Sequence, residues 1–114
     1  MPKFKSGQII SHKLFDYRGV ILKVDQTFSS TDEWYEQMAK SKPPKDKPWY
    51  HVLVHNKNHT TYVAERNLQI DESPQEIVHP LLPFYFTNIK NGIYLKTMNW
   101  EDENPLPLNN SGEA

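Results

Sequence analysis

The run that most constrains the fold is Pro48–Val54, which reads Pro-Trp-Tyr-His-Val-Leu-Val. It is the densest apolar and aromatic segment of the chain, and its branched and planar side chains favour a pleated, half-buried surface. Its length and composition predict a β-strand rather than a helix. Side chains alternate between the two faces of a strand, so Tyr50 and Val52 point to one face. Trp49 and Leu53 point to the other, which predicts a central strand covered on both sides.

The segments around this run predict its pairing partners. Val20–Asp25 carries β-branched residues in partial alternation, and Thr60–Val63 returns after the loop Asn56–His59. A shorter strand is expected at Gln8–His12, and a helical turn at Ala64–Leu68. Five short strands with tight connections predict an all-β fold with a small, strongly bent antiparallel sheet. An SH3-like barrel is the economical form of such a sheet, and a plain β-sandwich is less favoured at this size.

One short helix is predicted as an insertion between strands, over Asp32–Lys40. Ser30 and Glu33 fit a capping box, in which Ser30 caps the first turn and Glu33 reaches back to it. The helix must end before the prolines of Lys40–Pro48, a loop with four lysines and three prolines. This loop offers no apolar residue to bury. We therefore expect it to be exposed and dispensable for folding, but not for binding.

The stretch from residue 79 to residue 96 holds much of the remaining apolar content. Its large apolar residues are Leu81, Leu82, Phe84, Phe86 and Ile93. Burying one such side chain contributes roughly 1.5–3 kcal/mol, so we expect the stretch to dock on its own barrel or on a second subunit. Docking within the chain is favoured, because Asn91-Gly92 can close a local hairpin that adds to a sheet edge.

Length and charge predict the organisation of the chain. The 114 residues are expected to form one barrel domain over residues 1–100, followed by an acidic, flexible tail over residues 101–114. Residues 1–66 contain eleven Lys or Arg and seven Asp or Glu, whereas residues 67–114 contain two and seven. The basic first part has two interpretations, a weak polyanion-binding surface or an ordinary mixed surface.

The sequence shows no catalytic or cofactor-binding motif. It has no cysteine, no glycine-rich phosphate loop and no serine in a nucleophile-elbow context. His51, His55 and His59 recur every four residues, but a strand and turn would scatter them, so no metal site is predicted. No apolar run approaches the roughly 20 residues that span a bilayer, and no secretion signal is evident. We expect a cytoplasmic, non-enzymatic protein without a cofactor or membrane contact.

Binding is the class of function that remains. Cations interleaved with aromatic side chains can hold phosphates and stack on bases, and two loops with such residues would meet at one end of a small barrel. The candidate residues for DNA or partner binding are Lys13, Tyr17, Arg18, Lys42, Lys45, Lys47 and Trp49. Packing in the core is the alternative for Tyr17 and Trp49, and a solvated loop is the alternative for the lysines. Gly19 is expected to supply a positive φ where the first loop ends.

Several segments together resemble a known family. The residues are Phe4-x-x-Gly7-Gln8-x-x-x-His12, Tyr17-x-Gly19-Val20, Asp25, Pro48–Val54, Thr61–Glu65 and Asn67-Leu68. This pattern resembles the YccV-type hemimethylated-DNA-binding domain, the family of the heat-shock protein HspQ. Two further stretches, Glu33–Met38 and His79–Phe86, are similar to the longer form of the domain, which also occurs at the end of certain eukaryotic F-box proteins. The resemblance covers about residues 4 to 96.

The resemblance implies an SH3-like barrel without enzymatic activity. It implies binding of hemimethylated DNA near a replication origin, or an adaptor role in substrate degradation by a Lon-type ATP-dependent protease under stress. DNA or such a protease is then the partner, and a small homo-oligomer is compatible with both. Distinguishing one base methyl from two requires an apolar contact in the major groove, for which Trp49 and Tyr17 are the candidates.

Overall fold

The computed structural model describes residues 2–97 and the backbone of residues 110–112. The helices and strands are β1 (Ile9–His12), β2 (Arg18–Asp25), α1 (Asp32–Met38), β3 (Trp49–Val54), β4 (Thr60–Ala64), β5 (Leu68–Ile70), α2 (Leu82–Tyr85), β6 (Phe86–Lys90), β7 (Ile93–Lys96) and β8 (Asn110–Gly112). A 3-10 helix, Glu65–Asn67, connects β4 to β5. The predicted acidic tail, residues 101–114, lies outside the described residues except for the backbone of β8.

Strand β3 lies in the middle of the larger sheet, as predicted. The order of strands is β5-β1-β2-β3-β4-β8, and β6 and β7 form a second sheet. Strand β3 pairs antiparallel with both predicted neighbours, placing Val52 opposite Ile21 of β2 and Thr61 of β4. Strand β8 pairs with β4 in parallel, whereas all the other pairs are antiparallel. The chain is thus a small all-β fold with an inserted helix.

Alternation along the strands divides the apolar side chains between the two faces of the sheet. The inner core consists of Ile10, Ile21, Tyr50, Val52, Val63 and Leu68. The C-terminal core, on the other face, consists of Ile9, Val20, Leu22, Leu53, Ile77, Phe86 and Tyr94. The aromatic cluster consists of Tyr35, Ala39, Trp49, Tyr62 and Ala64, with Phe28 and Trp34 packed against it. The central strand supplies residues to all three clusters, so it is covered on both sides.

The sheet is strongly bent but does not close into a barrel through hydrogen bonds. Leu68 of the edge strand β5 packs in the same cluster as Val63 of β4, although three strands lie between them. A shift of register in β2 between Ile21 and Lys23 accompanies the bend, and such irregularities increase the local twist of a strand. The predicted bent antiparallel sheet is therefore present, but it is open rather than closed into the predicted barrel.

The C-terminal segment docks on its own chain. Phe86 and Tyr94 are buried in the C-terminal core, and Leu81, Leu82 and Tyr85 pack against it. The β6–β7 hairpin also meets the N-terminal segment, since the N–H of Tyr94 donates to the carbonyl of Gly7 at 2.9 Å. Asn91 and Gly92 have φ of 55° and 78°, the left-handed backbone that a two-residue hairpin turn requires. This confirms docking within the chain, but the hairpin forms a second sheet and does not add to an edge of the larger one as predicted.

Phe84 is an exception to the expected burial. Its side chain is 71% exposed, because the single turn of α2 directs its neighbours Leu82 and Tyr85 toward the C-terminal core instead.

Helix α1 begins at the predicted residue but is capped by a different one. Thr31, not Ser30, is the N-cap, and its side chain accepts a hydrogen bond from the N–H of Trp34 at 3.1 Å. Ser and Thr are both good N-caps, and only the residue directly before the first helical residue can reach the first turn. The helix ends at Met38, because Ala39 adopts a non-helical backbone.

The loop after α1 is anchored, which corrects the expectation that it is exposed throughout and has no apolar residue to bury. Pro43 is fully buried, and its carbonyl accepts a hydrogen bond from the Tyr35 hydroxyl at 2.7 Å. The carbonyl of Pro44 accepts from the indole N–H of Trp49 at 3.1 Å. The N–H of Phe28 donates to the carbonyl of Lys45 at 2.9 Å. These bonds hold the loop against the aromatic cluster.

Gly19 is required for a reason other than the predicted positive φ. It lies within β2, and a Cβ at this position would come within 2.5 Å of Val52 Cγ1 and 2.6 Å of the Leu53 carbonyl oxygen. The positive φ in the β1–β2 turn belongs to Asp16, at 54°. Close approach of β3 therefore explains the glycine.

Candidate functional site

Exposed cations gather around the 3-10 helix. Lys3, Lys47 and Arg66 line a shallow depression of about 330 Å³, and Pro44, Ala64 and the acidic Glu65 complete its wall. All three cationic residues are exposed. Their positions in the chain are far apart, so the fold creates this concentration of positive charge.

The β1–β2 turn adds a fourth cation to this region. The N–H of Lys13 donates to the carbonyl of Asn67 at 2.8 Å, and Asn67 is the last residue of the 3-10 helix. Lys13 is exposed, and within residues 2–97 neither its side chain nor that of Lys47 forms an ion pair. We call Lys3, Lys13, Lys47 and Arg66 the basic surface.

The 3-10 helix also holds the loop that follows α1. The guanidinium of Arg66 donates through Nη2 to the carbonyl of Ser41 at 2.5 Å. Asn67 Nδ2 reaches the hydroxyl of the same serine at 3.5 Å. The two loops singled out in the sequence therefore both contact the 3-10 helix, which brings Lys13 and Lys47 to the same region of the molecule.

Two of the predicted binding lysines are engaged within the protein. Lys42 Nζ forms an ion pair with Glu36 at 2.6 Å, and Lys45 Nζ forms one with Asp32 at 2.8 Å. Lys45 Nζ also lies 4.4 Å from the centre of the Tyr35 ring, a cation–π arrangement. The paired lysine lowers the pKa of each carboxyl through its hydrogen bond and its charge. These pairs reduce the positive charge that the loop offers to a partner.

Trp49 is a packing residue. Its side chain is 0% exposed and lies among Phe28, Tyr35 and Tyr62. Because it has no accessible surface, it cannot stack on a base, which corrects its place among the binding candidates.

Tyr17 and Arg18 lie beside the basic surface but are tied to other parts of the fold. Tyr17 is partly buried against the inner core, and its hydroxyl is 2.7 Å from Thr61 Oγ1 on β4. Arg18 donates through Nε to Asp71 at 3.2 Å and through Nη2 to the carbonyl of Gln75 at 2.6 Å. Arg18 therefore holds the segment after β5 in place.

Sequence reasoning missed Lys3 and Arg66. Lys3 precedes the first strand, and its backbone N–H donates to Glu65 Oε2 at 2.9 Å, which places it beside the 3-10 helix. The only signal in the sequence was that both residues belong to the basic first part of the chain. Their proximity depends on tertiary contacts that no local pattern encodes.

A second polar cluster joins three strands on the face of the aromatic cluster. Asp25 Oδ2 accepts hydrogen bonds from the Tyr62 hydroxyl at 2.6 Å and from His51 Nε2 at 3.1 Å. Burial raises the pKa of Asp25, but these two bonds and the charges of His51 and Lys23 outweigh it and lower the pKa below 3.8. Burial and the bond to Asp25 raise the pKa of Tyr62. An ionised carboxylate with two donors ties β2, β3 and β4 together.

The described residues contain no group of three or more His, Asp or Glu side chains arranged to hold a metal ion. Among the same residues, no helix has the length and apolar character needed to cross a membrane.

Comparison with known proteins gives one matching family and a set of longer relatives. The family described as hemimethylated DNA-binding protein YccV like matches residues 2–93. F-box only protein 21 from Homo sapiens and from Pongo abelii is 32% identical over 107 residues, and that from Mus musculus is 31% identical. The alignments cover 92% of this chain but only 17% of each relative. The chain thus corresponds to a small part of those longer proteins.

Proposed function

Because the chain belongs to the YccV-like family of hemimethylated-DNA-binding proteins, we propose that it is a non-enzymatic module that binds duplex DNA through the basic surface. The observation that carries this proposal is the convergence of Lys3, Lys13, Lys47 and Arg66 around the 3-10 helix. Contacts between cations and phosphates supply most of the affinity in such complexes, and they release counterions. The hemimethylated site near a replication origin is the ligand that we propose.

The anchored loops support this proposal, because they hold the cations in place before DNA arrives. The Arg66 guanidinium is fixed through the Ser41 carbonyl, and the backbone that carries Lys13 is fixed through the carbonyl of Asn67. A preorganised set of donors loses less conformational entropy on binding than a flexible basic tail does. The net charge of −1 predicts modest affinity for random DNA.

A salt titration of duplex binding tests the proposal. The double variant Lys13→Ala/Lys47→Ala should weaken binding at low salt and make the slope of log Kd against log salt shallower by up to about 2, since each phosphate contact adds roughly 0.9 to the slope. Fluorescence anisotropy with a labelled duplex gives both quantities.

The matched control carries the same change of charge elsewhere. Lys57→Ala/Lys90→Ala removes two exposed lysines from the β3–β4 loop and the β6–β7 hairpin. It should leave the slope nearly unchanged, because distant charges are screened over about 10 Å at 0.1 M salt. Equal effects of the two double variants would mean that binding follows net charge rather than the basic surface, and would refute the proposed site.

An adaptor for a Lon-type ATP-dependent protease is the alternative function. The ion pairs of Lys42 and Lys45 favour it, because they leave few free cations for phosphates. A largely apolar protein interface depends little on salt, whereas phosphate contacts depend on it steeply. Binding to the protease that persists unchanged from 50 to 300 mM salt (roughly the range over which phosphate contacts are lost), together with no duplex binding at low salt, would support the adaptor.

A further inference from the structure

An exposed apolar tip lies next to the basic surface. Leu14 and Phe15 occupy the turn between β1 and β2, where their side chains are 56% and 51% exposed. Apolar surface in contact with water is unfavourable by about 25 cal/mol per Å², and adjacent exposed apolar side chains indicate an interaction site more often than single ones do. Neither residue was singled out by the sequence, because a loop with Lys13 and Asp16 looks polar.

The turn that carries this tip is rigid. The Nδ1 atom of the buried His12 accepts hydrogen bonds from the N–H groups of Leu14 at 3.1 Å and Phe15 at 3.2 Å. The ring of His12 also lies 4.7 Å from that of Phe15. The N–H of Asp16 donates to the carbonyl of His12 at 2.9 Å and closes the turn. These bonds fix the backbone of the turn, and both apolar side chains extend from it into solvent.

The position of the tip favours DNA as the partner. Lys13 is the adjacent residue, and its backbone bond to Asn67 places the turn beside Arg66. The tip lies in the turn that joins β1 and β2, two strands that β5 and β3 flank in the larger sheet. The major groove of B-DNA is about 12 Å wide, and the turn rather than the strands would enter it. Cations that hold the phosphates at the groove wall would bring the apolar pair toward the base edges.

We propose that Leu14 and Phe15 contact the methyl group of a hemimethylated base in the major groove. This inference rests on the proposed DNA-binding function and adds the residues that recognise the methyl. Base methyls in this groove are apolar and are contacted by apolar side chains. Leu14 and Phe15 take the role that the sequence assigned to Trp49 and Tyr17. Trp49 is buried, and the Tyr17 hydroxyl is hydrogen-bonded to Thr61.

The test compares the full chain with the double variant Leu14→Ala/Phe15→Ala. Five duplexes of one sequence are used. One is unmethylated, and the hemimethylated and fully methylated forms are each made once with N6-methyladenine and once with 5-methylcytosine. The wild-type preference for the hemimethylated over the unmethylated duplex should fall by about fourfold or more in the variant. This is the factor expected for the apolar contact of one methyl group. The slope against salt should stay unchanged, because the basic surface is intact.

Two controls keep the outcome decisive. Phe84→Ala/Leu95→Ala removes another exposed apolar pair, 71% and 41% exposed, from the C-terminal segment and should keep the preference. Phe15→Leu keeps an apolar tip, and it should retain the preference even if the double variant does not fold.

The outcomes separate the inference from the proposed function. A double variant that keeps the wild-type preference, or that loses affinity for all duplexes equally, overturns the role of the tip. DNA binding would still stand in that case if Lys13→Ala/Lys47→Ala lowers the salt slope. A wild-type chain that binds no duplex at low salt overturns both. If the variant loses its preference only with N6-methyladenine, that is the modification recognised, and the same holds for 5-methylcytosine.

Discussion

His79 is hydrogen-bonded through Nε2 to the backbone carbonyl of His59 at 3.0 Å. Its Nδ1 accepts from the N–H of Leu81 at 3.1 Å. The two bonds require the neutral imidazole with its proton on Nε2, and they join the start of the C-terminal segment to the β3–β4 loop. Burial lowers the pKa of His79 below its ordinary value of 6.5, although the bond to the His59 carbonyl opposes the shift.

The stability of the protein should therefore fall in mild acid through His79. The unfolded chain takes up a proton on this residue near pH 6.5, whereas the folded chain does so only at lower pH. The free energy of unfolding is thus reduced as pH falls from about 6.5 toward the lower folded pKa. Above that range His79 adds no pH dependence to stability. His79→Gln, which can keep a donor to His59, should lose less stability between pH 7.5 and pH 5.5 than the wild type in urea unfolding. An equal loss in both proteins would contradict this assignment.

Val52→Ala should destabilise the protein by about 1–3 kcal/mol, because it removes two buried methyl groups and leaves a cavity. Val52 is 0% exposed and lies in the inner core. The same substitution at Val78, which is 61% exposed, is the control and should change the free energy of unfolding by less than about 0.5 kcal/mol. Urea unfolding measures both, and similar costs at the two positions would place the core elsewhere.

Tyr35→Phe should loosen the loop that follows α1. The substitution removes the buried hydrogen bond to the Pro43 carbonyl and leaves that acceptor unpaired, at a cost of about 1–3 kcal/mol. We expect faster tryptic cleavage after Lys40 and Lys45, which are not followed by proline, and mass spectrometry would detect it. Cleavage after Lys90, in the distant β6–β7 turn, should keep its wild-type rate unless the whole protein has been destabilised.

Ending the chain after Val78 should expose the C-terminal core. Phe86 and Tyr94 pack there against β1, β2 and β3, so their loss uncovers Ile9 and Leu22. The shortened protein should melt at a lower temperature and bind a hydrophobic dye, with no dependence on protein concentration. If instead the melting temperature of the full chain climbs with concentration, the segment would also contribute to a subunit interface.

The strands were predictable because their signals are local. Period-two alternation placed Tyr50 and Val52 on one face, and Asn91-Gly92 marked a turn whose backbone angles only such residues adopt readily. The predicted helix cap, Ser30, is one residue away from the observed cap, Thr31. Serine and threonine are both good N-caps, so the sequence alone does not choose between them.

The site was less predictable, because its determinants are tertiary. The anchoring of the loop depends on the carbonyls of Pro43 and Pro44, and every residue has a carbonyl, so no side-chain pattern reveals it. Trp49 has a side chain suited to stacking on a base, but it is buried because β3 is covered on both sides. Lys3 and Arg66 become neighbours only when the 3-10 helix packs beside the N-terminal segment.

DNA binding through the basic surface depends on the folded state, because its residues Lys3, Lys13, Lys47 and Arg66 lie far apart in the sequence. An unfolded chain does not hold these cations together, so a duplex that binds the basic surface binds the folded state alone. Such a ligand adds about 2.7 kcal/mol to the free energy of unfolding at one hundred times its Kd. DNA would then act as a thermal protectant, and the protein would release it over the same few degrees in which it melts. A continuous basic tract would remain bound through that transition.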